Sequence, residues 1–75
     1  MQKIKITFFN PQTIKTRVIR FIFKWDYSNH CWNVTTVSLF GESNNRYAGS
    51  PMQLVEHYKE CLIKKGEYAT VKTFA

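Results

Sequence analysis

Between Gln2 and Phe9 the chain alternates, with Ile4, Ile6 and Phe8 on one side and Lys3, Lys5 and Thr7 on the other. A period of two with a single apolar side predicts a strand buried on one face. Asn10-Pro11-Gln12-Thr13 interrupts the alternation. Proline fixes its own φ and drives the preceding residue out of the helical region, so a turn is expected there. From Ile14 to Trp25 β-branched and aromatic residues dominate, and Ile19, Phe21, Phe23 and Trp25 again keep period-two register. That predicts a second, long strand. A helix capped by Asn10, with Pro11 in its first turn, is the competing reading of this stretch. Asp26 to His30 makes the next turn, and Cys31 to Phe40 reads as a third strand. Gly41 to Asn45 reads as a loop, and Arg46 to Gly49 as either a short edge strand or the lead into a helix.

At Ser50 the period changes. Leu54, Val55, Tyr58, Cys61 and Leu62 form one apolar stripe, opposite Gln53, Glu56, Lys59, Glu60 and Lys64. Such spacing predicts an amphipathic helix. Ser50 is a preferred N-cap, Pro51 suits the first helical position and Gly66 suits a left-handed C-cap, so the helix is expected from Ser50 to Gly66. Lys64 and Lys65 then lie at the negative end of the helix dipole, and Glu60 and Lys64 are spaced for an i,i+4 pair. Met52 and Ile63 fall outside the stripe. Tyr68 to Phe74 reads as a last, short strand. The expected fold is a single α+β domain over residues 1–75: a small antiparallel or mixed β-sheet of three to four strands packed on one α-helix, in the order β-β-β-α-β.

One helix covers one face of a sheet, so the other face is left to solvent or a partner. Pairing Phe9 with Ile14 sets Lys3 opposite Arg20, Lys5 opposite Val18 and Thr7 opposite Thr16 on that outer face, with Ile4 opposite Ile19 on the inner one. Pairing Trp25 with Cys31 extends the outer face through Ile22, Lys24, Trp32, Val34 and Thr36, and places Lys24 beside Trp32 as a cation–π pair. The same register turns Asn33 and Thr35 toward the core. A bulge in the third strand would reverse it and bury Trp32 and Val34.

Charge gives this face a meaning. The net charge is +6, and residues 1–25 hold Lys3, Lys5, Lys15, Arg17, Arg20 and Lys24 without one acid, whereas the remainder balances five bases with five acids. Such asymmetry points to an anionic partner for the first hairpin. Lys3 opposite Arg20 is a like-charge pair that costs stability unless an anion lies over it. The candidate polyanion-binding residues are therefore Lys3, Lys5, Arg20 and Lys24, with Trp32 or Tyr27 to stack on a base. The bland alternative is a solvated face whose lysines discourage edge-to-edge association. In element order, three strands followed by a helix over Ile14 to Lys65 resemble the AP2-type and integrase arm-binding DNA-binding domains, and the resemblance implies a sheet laid in the major groove.

Composition narrows the function classes. With 44% hydrophobic and 16% aromatic residues the chain has the makings of a core and is not a disordered tail. At 75 residues it buries only about 60% of its unfolded surface, which disfavours a deep catalytic cleft. His30, Cys31, His57 and Cys61 have the composition of a zinc site, but neighbours in a strand point to opposite faces and neither half has zinc-finger spacing. A His57–Cys61 nucleophile pair lacks an orienting third group. No catalytic residue, metal or cofactor is expected. With no secretory signal and no run long enough to span a bilayer, a cytoplasmic protein is expected, with Cys31 and Cys61 as ordinary buried thiols or, as the competing reading, bridged to each other, and Asn33-Val34-Thr35 has no meaning as a sequon. The expected function is a small non-catalytic module that binds nucleic acid or another polyanion, in a regulatory role. The alternative is a stand-alone protein of the phage or mobile-element inhibitor type, which binds an acidic protein surface and modulates its owner. The open face also offers itself to a homodimer.

Overall fold

The computed structural model describes residues 1–74 as five antiparallel strands with one helix laid on one face of the sheet. In chain order they are β1 (Gln2–Asn10), β2 (Lys15–Asp26), β3 (Cys31–Ser38), β4 (Gly41–Tyr47), α1 (Pro51–Leu62) and β5 (Tyr68–Phe74). The first four form a meander. α1 then crosses the sheet and delivers β5 to the far edge, giving the spatial order β4-β3-β2-β1-β5. The α+β class agrees with the patterning, with one strand more than it indicates.

That extra strand is β4. Its sequence, Gly41-Glu42-Ser43-Asn44-Asn45-Arg46-Tyr47, carries one apolar side chain, so no alternation marks it. It forms because Ser38 pairs with Gly41 across a two-residue tip, Leu39-Phe40, and the ladder continues to Trp32 opposite Tyr47. As an edge strand outside the helix's cover it has no apolar face to supply, and polar residues there discourage further pairing.

Two turns of the same design set the register of the first hairpins. Asn10 pairs with Lys15 and Asp26 with Cys31, leaving four loop residues each time. In the first, Asn10 Oδ1 accepts from the backbone N–H of Gln12 at 3.0 Å and of Thr13 at 3.4 Å. In the second, Asp26 Oδ1 accepts from Ser28 at 3.0 Å and Asn29 at 3.2 Å. The fourth loop residue is left-handed in both, Ile14 at φ 57° and His30 at φ 51°.

For a β-branched residue that conformation is strained, by about 1–2 kcal/mol. The Ile14 side chain is also 78% exposed and recovers little by packing. Ile14→Asn is therefore expected to raise stability by about 1 kcal/mol, read as a higher urea midpoint at unchanged m-value. A lower midpoint would show that Ile14 packs against something that compensates its strain.

These turns correct both expected registers. In the first hairpin the sum of paired numbers rises by two, so Lys3 faces Ile22, Lys5 faces Arg20, and Ile4 faces Phe21. An even slip keeps every side chain on its face. In the second hairpin Trp25 faces Trp32 and Lys24 faces Asn33, a slip of one. An odd slip exchanges the faces, so Trp32, Val34 and Thr36 lie on the helix side.

The core sits between α1 and the sheet: Ile4, Ile6, Phe8, Ile19, Phe21, Phe23 and Val34 below, Val55 above, with Leu54 and Tyr58 partly buried beside it. α1 is shorter than expected. It ends at Leu62, and Ile63 is already extended. Gly66, at φ 86°, serves instead as the third residue of a turn in which Glu67 N–H donates to Lys64 O at 3.1 Å. That position requires a positive φ, which glycine takes without strain. Lys64 and Lys65 thus lie beyond the helix, and the ion pair on its surface is Glu56–Lys59 at 2.7 Å rather than Glu60–Lys64. Ser50 is the N-cap by backbone conformation, but its side chain makes no capping hydrogen bond.

Candidate polyanion-binding face

Opposed residues of an antiparallel pair share a face, so the ladders assemble the outer surface row by row. One row runs Lys72, Lys5, Arg20, Val37, Glu42 from β5 to β4. Three cations therefore stand side by side on three adjacent strands, with neighbouring Cβ atoms ~5 Å apart. The next row runs Phe74, Lys3, Ile22, Thr35, Asn44, in which Thr35 Oγ1 donates to Asn44 Oδ1 at 2.7 Å. Beyond it lie Lys24, Asn33 and Arg46. None of these six cations is in an ion pair among the described residues.

Between the first two rows the surface dips into a depression of about 350 Å³ bordered by Lys3, Lys5, Arg20, Ile22, Val37 and Phe74. The Phe74 ring has the Lys5 Nζ at 5.5 Å and the Lys72 Nζ at 5.4 Å from its centroid. Both distances are within cation–π range. Lys72 and Phe74 belong to a strand whose neighbour the alternation alone does not identify. The period-two pattern of Tyr68, Thr70, Lys72 and Phe74 is the signal that places them together on one face.

Of the sequence-derived candidates, Lys3, Lys5, Arg20 and Lys24 share this surface, but Trp32 does not. Its ring packs edge-on against Phe23 at 6.1 Å and against Trp25 at 5.1 Å, on the helix side. The odd slip at the β2–β3 turn is the cause, and no Lys24–Trp32 contact forms. Tyr27 stands on that turn with its ring 6.5 Å from Trp25, extending the same aromatic cluster away from the basic face.

Arg17, one of the six bases of the first third, is committed to structure. It lies opposite Phe8 on the helix side, its guanidinium 4.6 Å from the ring centroid. Its Nε donates to Glu67 Oε2 at 3.1 Å, and Nη2 donates to Glu67 Oε1 at 2.7 Å and to the Leu62 carbonyl at 2.9 Å. One side chain thus ties β2 to the β5 turn and satisfies a carbonyl left over at the end of α1.

Arg17 holds the Glu67 carboxyl below the usual glutamate range, chiefly through these side-chain hydrogen bonds, against an opposing desolvation effect. A lowered folded-state pKa contributes stability that is present above the unfolded value and is lost as pH falls through the folded one. Asp26, lowered first by its hydrogen bond from the Asn29 side chain, acts with the same sign. Thermal midpoints should therefore fall as acid is added below the ordinary carboxylate range. Glu67→Gln should lower the neutral-pH midpoint and reduce that acid slope, leaving the part due to Asp26. An unchanged slope in Glu67→Gln would mean that Arg17 does not hold this carboxylate.

His57 Nε2 lies 3.6 Å from Cys61 Sγ on the exposed side of α1, but no three metal-ligating side chains cluster among the described residues. Cys31 is buried and Cys61 exposed, both as free thiols. No helix of the described residues is long and apolar enough to cross a membrane. Comparison with protein-family models, curated proteins and solved structures finds no match.

Proposed function

We propose that the chain is a non-catalytic module whose open sheet face binds nucleic acid through its phosphates. The observation that carries this reading is the Lys72–Lys5–Arg20 row. Three like charges on adjacent strands, free of acidic partners, disfavour the fold unless an anion lies across them. Lys3, Lys24 and Arg46 extend the positive surface from the row toward the β2–β3 turn. Mobility-shift titrations with generic DNA and RNA at low and physiological salt test it. Binding that weakens steeply with salt is expected, and absence of binding at low salt sinks the proposal.

A second reading, a module that binds and modulates a protein, is favoured by a different feature. The β3–β4 tip presents Leu39 and Phe40 at 86% and 99% exposure, beside a shallow groove of about 220 Å³ lined by Val18, Ile19 and Leu62. Isolated apolar residues at a hairpin tip have no role in this core. Crosslinking from Phe40 to one stoichiometric protein of the native host, together with no salt-dependent nucleic-acid binding, would favour this reading over the first.

A further inference from the structure

We propose, resting on the nucleic-acid reading above, that the ligand is single-stranded and runs along the β1–β5 seam, with Phe74 as a base-stacking platform. The seam is two strands wide and four rows long: Lys3 with Phe74, Lys5 with Lys72, Thr7 with Thr70, and Phe9 with Tyr68. Each step along it is about 7 Å, so the aromatic groups at its two ends stand ~20 Å apart. β5 is the edge of the sheet, which leaves the seam open along its length.

Two features separate a single strand from a duplex. The first is the aromatic content. Phe74 is 38% exposed between two ammonium groups, Phe9 is also 38% exposed and Tyr68 is 68% exposed. A duplex keeps its bases stacked inside and offers these rings nothing, whereas an unpaired base lies on the ring while the flanking ammoniums meet its phosphates. The second is width. Five strands at ~4.8 Å spacing make a surface ~19 Å across, too broad for the ~12 Å major groove that admits a two-stranded ribbon. The mode implied by the likeness to AP2-type domains is therefore disfavoured, because β1 and β5 extend the sheet past the three strands that likeness covers.

Fluorescence anisotropy with three labelled probes tests this: a thymidine strand of roughly twelve nucleotides, an abasic strand of the same length, and a duplex of that length. The thymidine strand is expected to bind about tenfold more tightly than either of the others. Phe74→Leu, which keeps apolar bulk on the edge strand, should remove most of that advantage. Phe74→Trp should retain it. Equal, salt-dependent affinity for all three probes would overturn the single-strand assignment while leaving the polyanion reading intact, and no binding by any of them would overturn both. An advantage undiminished in Phe74→Leu would overturn the role of Phe74.

Discussion

Exchanging Lys5, Arg20 and Lys72 together for glutamine is expected to weaken nucleic-acid binding by about one to two orders of magnitude near 0.1 M salt, and at the same time to raise the thermal midpoint by a few degrees. The two signs come from one geometry. Lys5 faces Arg20 on one side and Lys72 on the other. Each like-charge cross-strand contact opposes folding by an amount on the order of 0.2–1 kcal/mol, and removing both relieves the free protein. The same charges displace counterions from a bound strand, so their loss should lower the slope of log K against log salt by about two to three. Anisotropy titrations across a salt series, paired with circular-dichroism melts of the free proteins, measure both effects. Weaker binding with a lower midpoint would mark the row as a structural element. Unchanged affinity would remove it from the binding surface. Among single variants, Lys5→Gln should give the largest rise in midpoint, because Lys5 alone takes part in both contacts.

How far the sequence discloses this arrangement depends on the residue. Ile4, Ile6 and Phe8 on β1, and Ile19, Phe21 and Phe23 on β2, announce their buried face because half-buried strands must alternate. Their partners could be misassigned by two residues without moving any side chain to the wrong face, so Lys3, Lys5, Arg20 and Lys24 fall together either way. Trp32 does not survive the same error. A change of one loop residue moves it across the sheet, and the cue that fixes the loop at four residues is the aspartate at its start. Asn10 and Asp26 each accept two backbone N–H groups and each precede a left-handed residue by four positions. Neither Ile14 nor His30 advertises that conformation, since both residue types disfavour it relative to glycine.

The other misreadings have equally local causes. β4 is polar on both faces, and its pairing is set by the Leu39-Phe40 tip and Gly41 rather than by burial, so periodicity cannot reveal it. Gly66 signals a positive φ correctly, but a helix C-cap and the third position of a β-turn make the same demand. What decides between them is Arg17, 45 residues upstream of Leu62, whose guanidinium takes the carbonyl at the helix end. Lys72 shares a face of the last strand with Tyr68, Thr70 and Phe74 by period-two spacing alone. Its place beside Lys5 depends on the crossover that carries β5 past three strands to the far edge, and no local pattern encodes a crossover of that length.

Phe21→Ala is expected to cost about 3–5 kcal/mol, the usual penalty for emptying a fully buried phenylalanine site. A domain of this size has a total stability on the order of 4–11 kcal/mol, so the variant should lose about a quarter or more of it and melt ~15–30 °C lower. Phe21 bears this burden because β2 is the central strand of the five. It pairs with Ile4 on one side and Thr36 on the other, and its ring stacks 6.3 Å from Phe23 and has Tyr58 of α1 at 5.2 Å. α1 covers only one face, and among the described residues no second layer exists to absorb the loss. Urea denaturation followed by circular dichroism measures the cost. A value below about 1 kcal/mol would mean that α1 does not pack over the middle of the sheet as described. Arg20 and Phe21 are neighbours in the chain but belong to opposite faces, so their substitutions should act on separate quantities. Arg20→Gln is expected to weaken binding while leaving the fold as stable or more so. Phe21→Ala is expected to destabilise the fold and, where it melts, to lose the ordered row of cations that binding requires.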